Sequence, residues 1–148
     1  MNNASRAVVL SFLSVLSLAL LLGCSGSNPT ASRQPDAEPE ALSRTEFTDR
    51  VENYFEYEPL HAGKPSQVRI HLTDLSDGSP VEKAEVSLTV RSKGGSDPVL
   101  RTTARVGKVT GIYVADLNIP RSGQYDVEFS IKNAKLDEHL PLSDFKVE

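Results

Sequence analysis

Histidines are the side chains of this sequence that could ligate a transition metal, and it contains three: His61, His71 and His139. A metal site needs ligands whose spacing lets them converge on one ion. No HxH, HxxxH or CxxC spacing is present. One interpretation is a copper or zinc site built from His61, His71 and an acidic residue. The other, which the spacing favours, is that all three are solvated histidines of strands and loops.

Cys24 is the only cysteine of the chain, so no intrachain disulfide can form. It follows Gly23 and a run of 16 apolar or serine residues, Ala7 to Leu22. A membrane-spanning helix needs about 20 apolar residues, whereas a shorter run suits the hydrophobic region of a signal peptide. Together with Leu21 and Leu22, the Gly23-Cys24 pair resembles the bacterial lipobox. We therefore predict a lipoprotein signal peptide over residues 1–23 and a lipidated, palmitate-bearing Cys24.

The alternative for the N-terminus is an uncleaved single-span anchor with an incidental cysteine. If Cys24 is lipidated, its acyl chains hold the protein at a bilayer through burial of their methylene groups. Ser25 follows the cysteine. An acidic residue at that position often accompanies retention at the inner membrane, so serine favours the outer membrane, facing the periplasm.

Residues 24–45 are predicted to form a flexible tether. Prolines recur at positions 29, 35 and 39 among small and charged residues, without an apolar period. Such a segment cannot bury enough apolar surface to offset the entropy lost on ordering. The folded domain is therefore expected to cover residues 46–148.

The overall charge argues against a general nucleic-acid binder. The 148 residues carry 16 basic and 20 acidic side chains, for a formal net charge of −4. A nucleic-acid binder needs a basic face that neutralises phosphates. No nucleophile elbow, phosphate-binding glycine loop or paired catalytic carboxylates stands out, so we predict neither enzymatic activity nor a cofactor.

Alternating apolar residues dominate the region after the tether. Val68, Ile70 and Leu72 alternate with polar residues, and so do the apolar residues of 86–90 and 125–131. Period-two alternation is typical of strands with one buried face. Seven strands are predicted, over residues 47–57, 68–72, 86–90, 99–106, 112–119, 125–131 and 140–147.

About seven short strands separated by turns are typical of an antiparallel, all-β sandwich of immunoglobulin-like type. A small β-barrel is the alternative. Tyr125, which follows Gly123-Gln124, occupies the position of a tyrosine corner, whose phenol bonds back to an earlier turn. It could equally be a half-buried aromatic residue of a strand.

The segment Tyr54–Val90 resembles the N-terminal β-domain of periplasmic adaptors of RND-type efflux pumps, notably those for heavy metals. Later residues agree with the same pattern, and the resemblance covers nearly the whole predicted domain. The residues that carry it are Tyr57, Pro59-Leu60, Ala62-Gly63-Lys64-Pro65-Ser66, His71-Leu72-Thr73-Asp74-Leu75, Gly78, Pro80-Val81, Gly111-Ile112-Tyr113, Pro120 and Gly123-Gln124-Tyr125.

The resemblance implies a fold, an envelope setting and at most an accessory role in efflux. The lipoyl-like domain, helical hairpin and β-barrel of adaptors have no counterpart before Glu148, so the chain is not expected to bridge a pump to an outer-membrane channel. We predict a lipid-anchored, non-catalytic envelope binding or interaction module. The alternatives are a periplasmic protein that binds copper or zinc, and a structural or adhesive domain.

Overall fold

A computed structural model of the protein describes residues 40–148, which form nine strands. Their bounds are Leu42–Phe47 (β1), Val51–Tyr57 (β2), Pro65–Asp74 (β3), Glu85–Ser92 (β4), Pro98–Thr103 (β5), Arg105–Val106 (β6), Ile112–Asn118 (β7), Gly123–Lys132 (β8) and Asp137–Val147 (β9). None of the described residues forms a helix that could span a bilayer.

The strands form two antiparallel sheets packed as a sandwich. The first sheet has the order β1-β2-β3-β7-β6 and the second has the order β5-β4-β8-β9. Strands β2, β3, β7 and β6 correspond to A, B, E and D of an immunoglobulin-like domain, and β5, β4, β8 and β9 correspond to C′, C, F and G. The prediction of an all-β, immunoglobulin-like sandwich is therefore confirmed.

The predicted alternation places the core correctly. Val68, Ile70 and Leu72 of β3 are at most 2% exposed, and Val86 and Val90 of β4 are fully buried. Their polar neighbours lie on the outer faces of the sheets. Burying one face of each strand against the other sheet supplies the main stabilisation of such a sandwich.

The tyrosine corner is present. Tyr125 lies near the start of β8, is 4% exposed, and donates a hydrogen bond from its phenol to the carbonyl of Arg121, 2.7 Å away. This bond fixes the turn that carries the chain from the first sheet to the second. Tyr125 is thus both a core aromatic residue and a clamp on the backbone before its strand.

Two of the predicted strands were wrong in their extent. The predicted strand over 47–57 is two strands, because Thr48 Oγ accepts hydrogen bonds from the amides of Arg50 and Val51 and closes a turn. The predicted strand over 99–106 is divided at Ala104, where the chain passes from the second sheet to the first. The amide of Ala104 still bonds to the carbonyl of Val86, 2.7 Å away.

The first strand also begins earlier than the predicted domain. Strand β1 begins at Leu42, inside the stretch predicted as tether, and pairs with residues 52–57 of β2. Its inward-facing side chains include Arg44 and Glu46, which are polar, so no apolar period marks it. The signal peptide, Cys24 and the tether up to residue 39 lie outside the described residues.

Candidate functional site

His61 and His71, the candidate ligands of the alternative metal site, lie in different parts of the fold. His61 is exposed in the loop between β2 and β3, where its carbonyl accepts a hydrogen bond from the amide of Lys64. His71 is half-buried on the outer face of β3, six residues after that strand begins. Six residues of strand span about 20 Å, so the two imidazoles cannot share an ion. Within residues 40–148, no three His, Cys, Asp or Glu side chains are grouped as metal ligands.

His71 belongs instead to a polar cluster on the outer face of the first sheet. Its Nε2 lies 3.6 Å from Glu56 Oε2, which is longer than a hydrogen bond, and has no other partner. Tyr54 packs edge-on against the imidazole at 5.2 Å and donates a hydrogen bond to Glu56 Oε1. Arg69 approaches the same carboxylate only to 3.7 Å. Glu56 is thus oriented by Tyr54 and lies close to the Arg69 guanidinium and the His71 imidazole.

A shallow groove of about 520 Å³ lies beside this cluster on the same face. Arg69 and Arg105 are both register partners of Val114, on its two sides. Arg105 donates a hydrogen bond to Asp116, which also accepts one from Gln67. Acidic and basic groups alternate along the groove, so it has no strong preference for a ligand of one charge.

The outer face of the second sheet carries an ion-pair chain. Arg91 donates a hydrogen bond to Glu128 Oε2 at 3.0 Å, and His139 Nδ1 lies 3.2 Å from Glu128 Oε1. The hydrogen bond from Arg91 is the main cause that holds the pKa of Glu128 below its usual value, and His139 acts in the same direction. Asp137 and Lys132 continue the chain. Most charged groups of this face pair with one another, whereas the buried Oδ1 of Asp126, opposite Arg91, has no hydrogen-bond partner.

The segments at one end of the sandwich form a tied unit, which we call the distal end: residues 47–50, 75–84, 106–111 and 133–136. The chain enters β1 at Leu42, at the opposite end. Three hydrogen bonds link these loops: Leu75 N to Arg50 O, Arg50 Nη1 to Lys135 O, and Asn133 Nδ2 to Glu82 O. The distal end is therefore a connected surface rather than four independent loops.

Strand β7 anchors the longest of these loops from below. The buried phenol of Tyr113 donates to the carbonyl of Val81 at 2.9 Å and accepts from the amide of Ala84 at 3.1 Å. Gly111 packs so closely on the loop that an added Cβ would lie 2.5 Å from the Cβ of Pro80. These contacts fix the loop before any partner arrives.

Apolar side chains project from the distal end. Six large apolar residues are exposed within residues 40–148, and four of them lie there: Phe47 (60% exposed), Leu75 (44%), Val106 (68%) and Val109 (60%). They come from the β1–β2 turn, the β3–β4 loop and the β6–β7 hairpin, so they run across the end of the first sheet. Phe47 of β1 and Val106 of β6 belong to the two edge strands, so the four residues are spread across this end of the sheet. A depression of about 420 Å³ lies between the β3–β4 and β8–β9 loops.

Sequence reasoning missed this surface. A single strand over 47–57 would place Phe47 on the same face as Val51 and Phe55, but the turn at Thr48 changes which positions face inward, and Phe47 lies outside. Leu75 and Val109 lie in loops, where no period indicates orientation. The signal that could have found them is an apolar residue beside turn-forming residues, such as Leu75 before Ser76-Asp77-Gly78.

No family model matches the chain, and no curated protein matches it. A solved structure similar to it is that of superoxide reductase (neelaredoxin) from Ignicoccus hospitalis, with a TM-score of 0.39 and 18% sequence identity. The alignment covers 72% of this chain and 80% of that protein. At this level of similarity, no property of the enzyme is transferred to the chain.

Proposed function

We propose that this protein is a lipid-anchored, non-catalytic binding or interaction module of the cell envelope. Its acyl-bearing Cys24 would hold it at the membrane, and its distal end would contact a protein partner. In the sharper form of this proposal, the module is accessory to an RND-type efflux system.

The position of the exposed apolar residues carries the proposal. The chain enters the sandwich at Leu42, and four of the six exposed large apolar residues lie at the opposite end. The ten residues of β3 separate the two ends by about 33 Å. A lipid anchor that joins the domain at Leu42 would attach at the end opposite the apolar surface, so the attachment itself would leave that surface uncovered.

The distal end is held on an apolar core. The buried residues are aliphatic or aromatic, with Asn53 as the single exception among those that the structure describes. The loops of the distal end are already fixed by Tyr113, Gly111 and hydrogen bonds between loops. A surface that is ordered before binding avoids part of the entropy lost on association.

Site-specific photo-crosslinking in intact cells tests the proposal. The photoreactive residue p-benzoylphenylalanine replaces Leu75 in one variant and Val99 in the control. Val99 is a matched site, because it is also an exposed apolar residue (40% against 44%) but lies away from the distal end. We expect one discrete adduct from position 75, none from position 99, and loss of the adduct when Cys24→Ser is added.

Mass spectrometry of the adduct then tests the sharper form. Identification of a pump, adaptor or channel subunit would support the efflux role. Identification of any other envelope protein would contradict the efflux role but would still support an envelope interaction module. Equal labelling from positions 75 and 99, or none from positions 47, 75 and 109, would contradict the distal end as the partner surface.

A further inference from the structure

Strand β1 is held loosely at one edge of the first sheet. It lies at the sheet edge and forms its ladder with β2 alone. No residue of β1 is buried, and Leu42 and Phe47, at its two ends, are 46% and 60% exposed. The strand therefore depends on backbone hydrogen bonds more than on core packing.

One residue joins β1 to the second sheet. Arg44 donates a hydrogen bond to the carbonyl of Ser143, 3.3 Å away, and this is the only hydrogen bond between β1 and the second sheet in the part of the chain that is described. Its guanidinium also lies 5.2 Å from the centre of the Phe145 ring and pairs with Glu46 at 2.6 Å. Arg44 thus closes the open side of the sandwich between β1 and β9.

The neighbouring strand carries an unsatisfied amide beside β1. Asn53 is fully buried on β2, and neither its Nδ2 nor its Oδ1 has a hydrogen-bond partner. Its register partner on β1 is Glu46. Residues directly opposite in an antiparallel pair have Cβ atoms about 5 Å apart, so departure of β1 would let water reach the amide. The closed form therefore lacks hydrogen bonds that an opened form gains.

We propose that β1 is an exchangeable strand, and that the β1 strand of a second copy of this chain takes its place on the edge of β2. A second copy is the partner whose strand fits this edge, because it reproduces every contact of the closed molecule. Its Arg44 meets Ser143 and Phe145, and its Glu46 lies opposite Asn53. Exchange of an identical element is a low-cost route to a dimer for this reason.

The turn between β1 and β2 is the segment that must open. Thr48 Oγ accepts from the amides of Arg50 and Val51, and the amide of Thr48 donates to the carbonyl of Val51. These bonds set the barrier to exchange, together with Arg44. Membrane anchoring, if present, would raise the local concentration of copies, but the exchange itself does not depend on the anchor.

Disulfide trapping between differently tagged full-length copies in detergent tests the proposal. One copy carries Thr45→Cys and the other carries Tyr54→Cys, since these residues are register partners across β1 and β2. A disulfide forms only when the two Cβ atoms lie within about 4.5 Å. We expect a mixed disulfide between copies, assigned by mass spectrometry so that bonds through Cys24 are not counted.

Two control pairs define the background. Thr45→Cys with Glu52→Cys uses the same strands out of register, since Glu52 lies opposite Phe47. Ser87→Cys with Ser130→Cys joins register partners of β4 and β8, inside the second sheet. Neither control pair should give more than about a tenth of the disulfide of the matched pair, because their Cβ atoms do not meet between copies.

Rates distinguish exchange from collision. Arg44→Met should speed trapping by about tenfold with little change in the final yield, because the contact is lost equally from the closed molecule and the exchanged dimer. Asn53→Leu should slow trapping by a similar factor, because the closed form no longer buries an unpaired amide. Absence of the matched disulfide in the wild-type background and in Arg44→Met overturns the proposal, and so does equal trapping by all three pairs.

Discussion

The phenol of Tyr113 donates a hydrogen bond to the carbonyl of Val81, 2.9 Å away, and so ties β7 to the loop that forms most of the distal end. The same oxygen accepts from the amide of Ala84 at 3.1 Å. Because Tyr113 is 1% exposed, water cannot replace these bonds. One side chain thus connects the core of the sandwich to its proposed interaction surface.

Removing this phenol is expected to destabilise the fold. Tyr113→Phe leaves the carbonyl of Val81 and the amide of Ala84 without the partner, which should lower the free energy of unfolding by about 2–3 kcal/mol. Tyr125→Phe is the control, because it removes a single bond, to Arg121, and should lower it by about 1 kcal/mol. Urea denaturation followed by circular dichroism measures both. Equal losses in the two variants would contradict a special role for Tyr113.

Gly111 should tolerate no side chain. Its φ of +77° disfavours other residues, and a Cβ there would lie 2.5 Å from the Cβ of Pro80. Gly111→Ala should therefore lower the free energy of unfolding by about 3 kcal/mol, from strain and overlap together. Gly63→Ala is the matched control, since its φ is +70° but no atom lies within 4 Å of the added Cβ. We expect Gly63→Ala to lower the free energy of unfolding by about 1 kcal/mol. If Gly111→Ala lowers it by no more than that, the contact with Pro80 relaxes to make room for the added methyl group.

The sandwich was predictable because its inward-facing residues alternate. Val68, Ile70 and Leu72 produce a period of two that no other local structure explains. The immunoglobulin-like strand order follows from the number and spacing of such runs, and Tyr125 marks the corner before β8. These features depend on which side chains are buried, and the alternation of apolar and polar residues in the sequence indicates that.

The edge strands were not predictable, because burial of apolar side chains contributes little to their stability. Strand β1 presents Arg44 and Glu46 inward and is maintained by its ladder with β2 and by contacts to β9. The chain changes sheets at Ala104, whose amide donates a hydrogen bond to the carbonyl of Val86. This contact is a matter of backbone pairing, and the hydrophobicity of the residues does not indicate it. The distal surface and the separation of His61 from His71 are likewise set by how the strands pair.

Acid should weaken the fold partly through Glu128. The hydrogen bond from Arg91 lowers the pKa of Glu128 in the folded state below the value of 4.5 that an isolated glutamate has. Because the pKa of Glu128 is lower in the folded state, its ionised form stabilises the protein fully at pH values above the pKa that the residue has in the unfolded chain. This stabilisation is lost as the pH falls through the pKa of the folded state.

Glu128→Gln should therefore reduce the pH dependence of stability below about pH 4.5, where the unfolded chain binds the proton first. Arg91→Gln should have the same effect, because it removes the main cause of the shift. Denaturant unfolding at a series of pH values from neutral to about pH 3 measures the slope. A slope unchanged in both variants would show that Glu128 does not titrate differently in the folded state.

Metal titration tests the copper and zinc alternative. Because His61 and His71 are separated by about 20 Å of strand, we expect no binding of Cu(I), Cu(II) or Zn(II) tighter than about 10 μM by calorimetry. His71→Ala is the informative variant, since His71 Nε2 lacks a hydrogen bond and lies beside Glu56. Tighter binding that disappears in His71→Ala would establish a metal site on the outer face of the first sheet.

Lipidation of Cys24 is the premise of the proposed anchoring and can be tested directly. Thioether attachment of a diacylglycerol requires the thiol, so radiolabelled palmitate should enter the wild-type protein and not Cys24→Ser. Serine keeps the size of the side chain and removes the nucleophilic sulfur, which leaves the folded domain unchanged. Membrane fractionation should move the variant to the soluble fraction, unless the apolar run of residues 7–22 remains uncleaved and spans the bilayer. Palmitate in both proteins would contradict lipidation at Cys24, and a wild-type protein that stays in the membrane without any palmitate would indicate the single-span anchor instead.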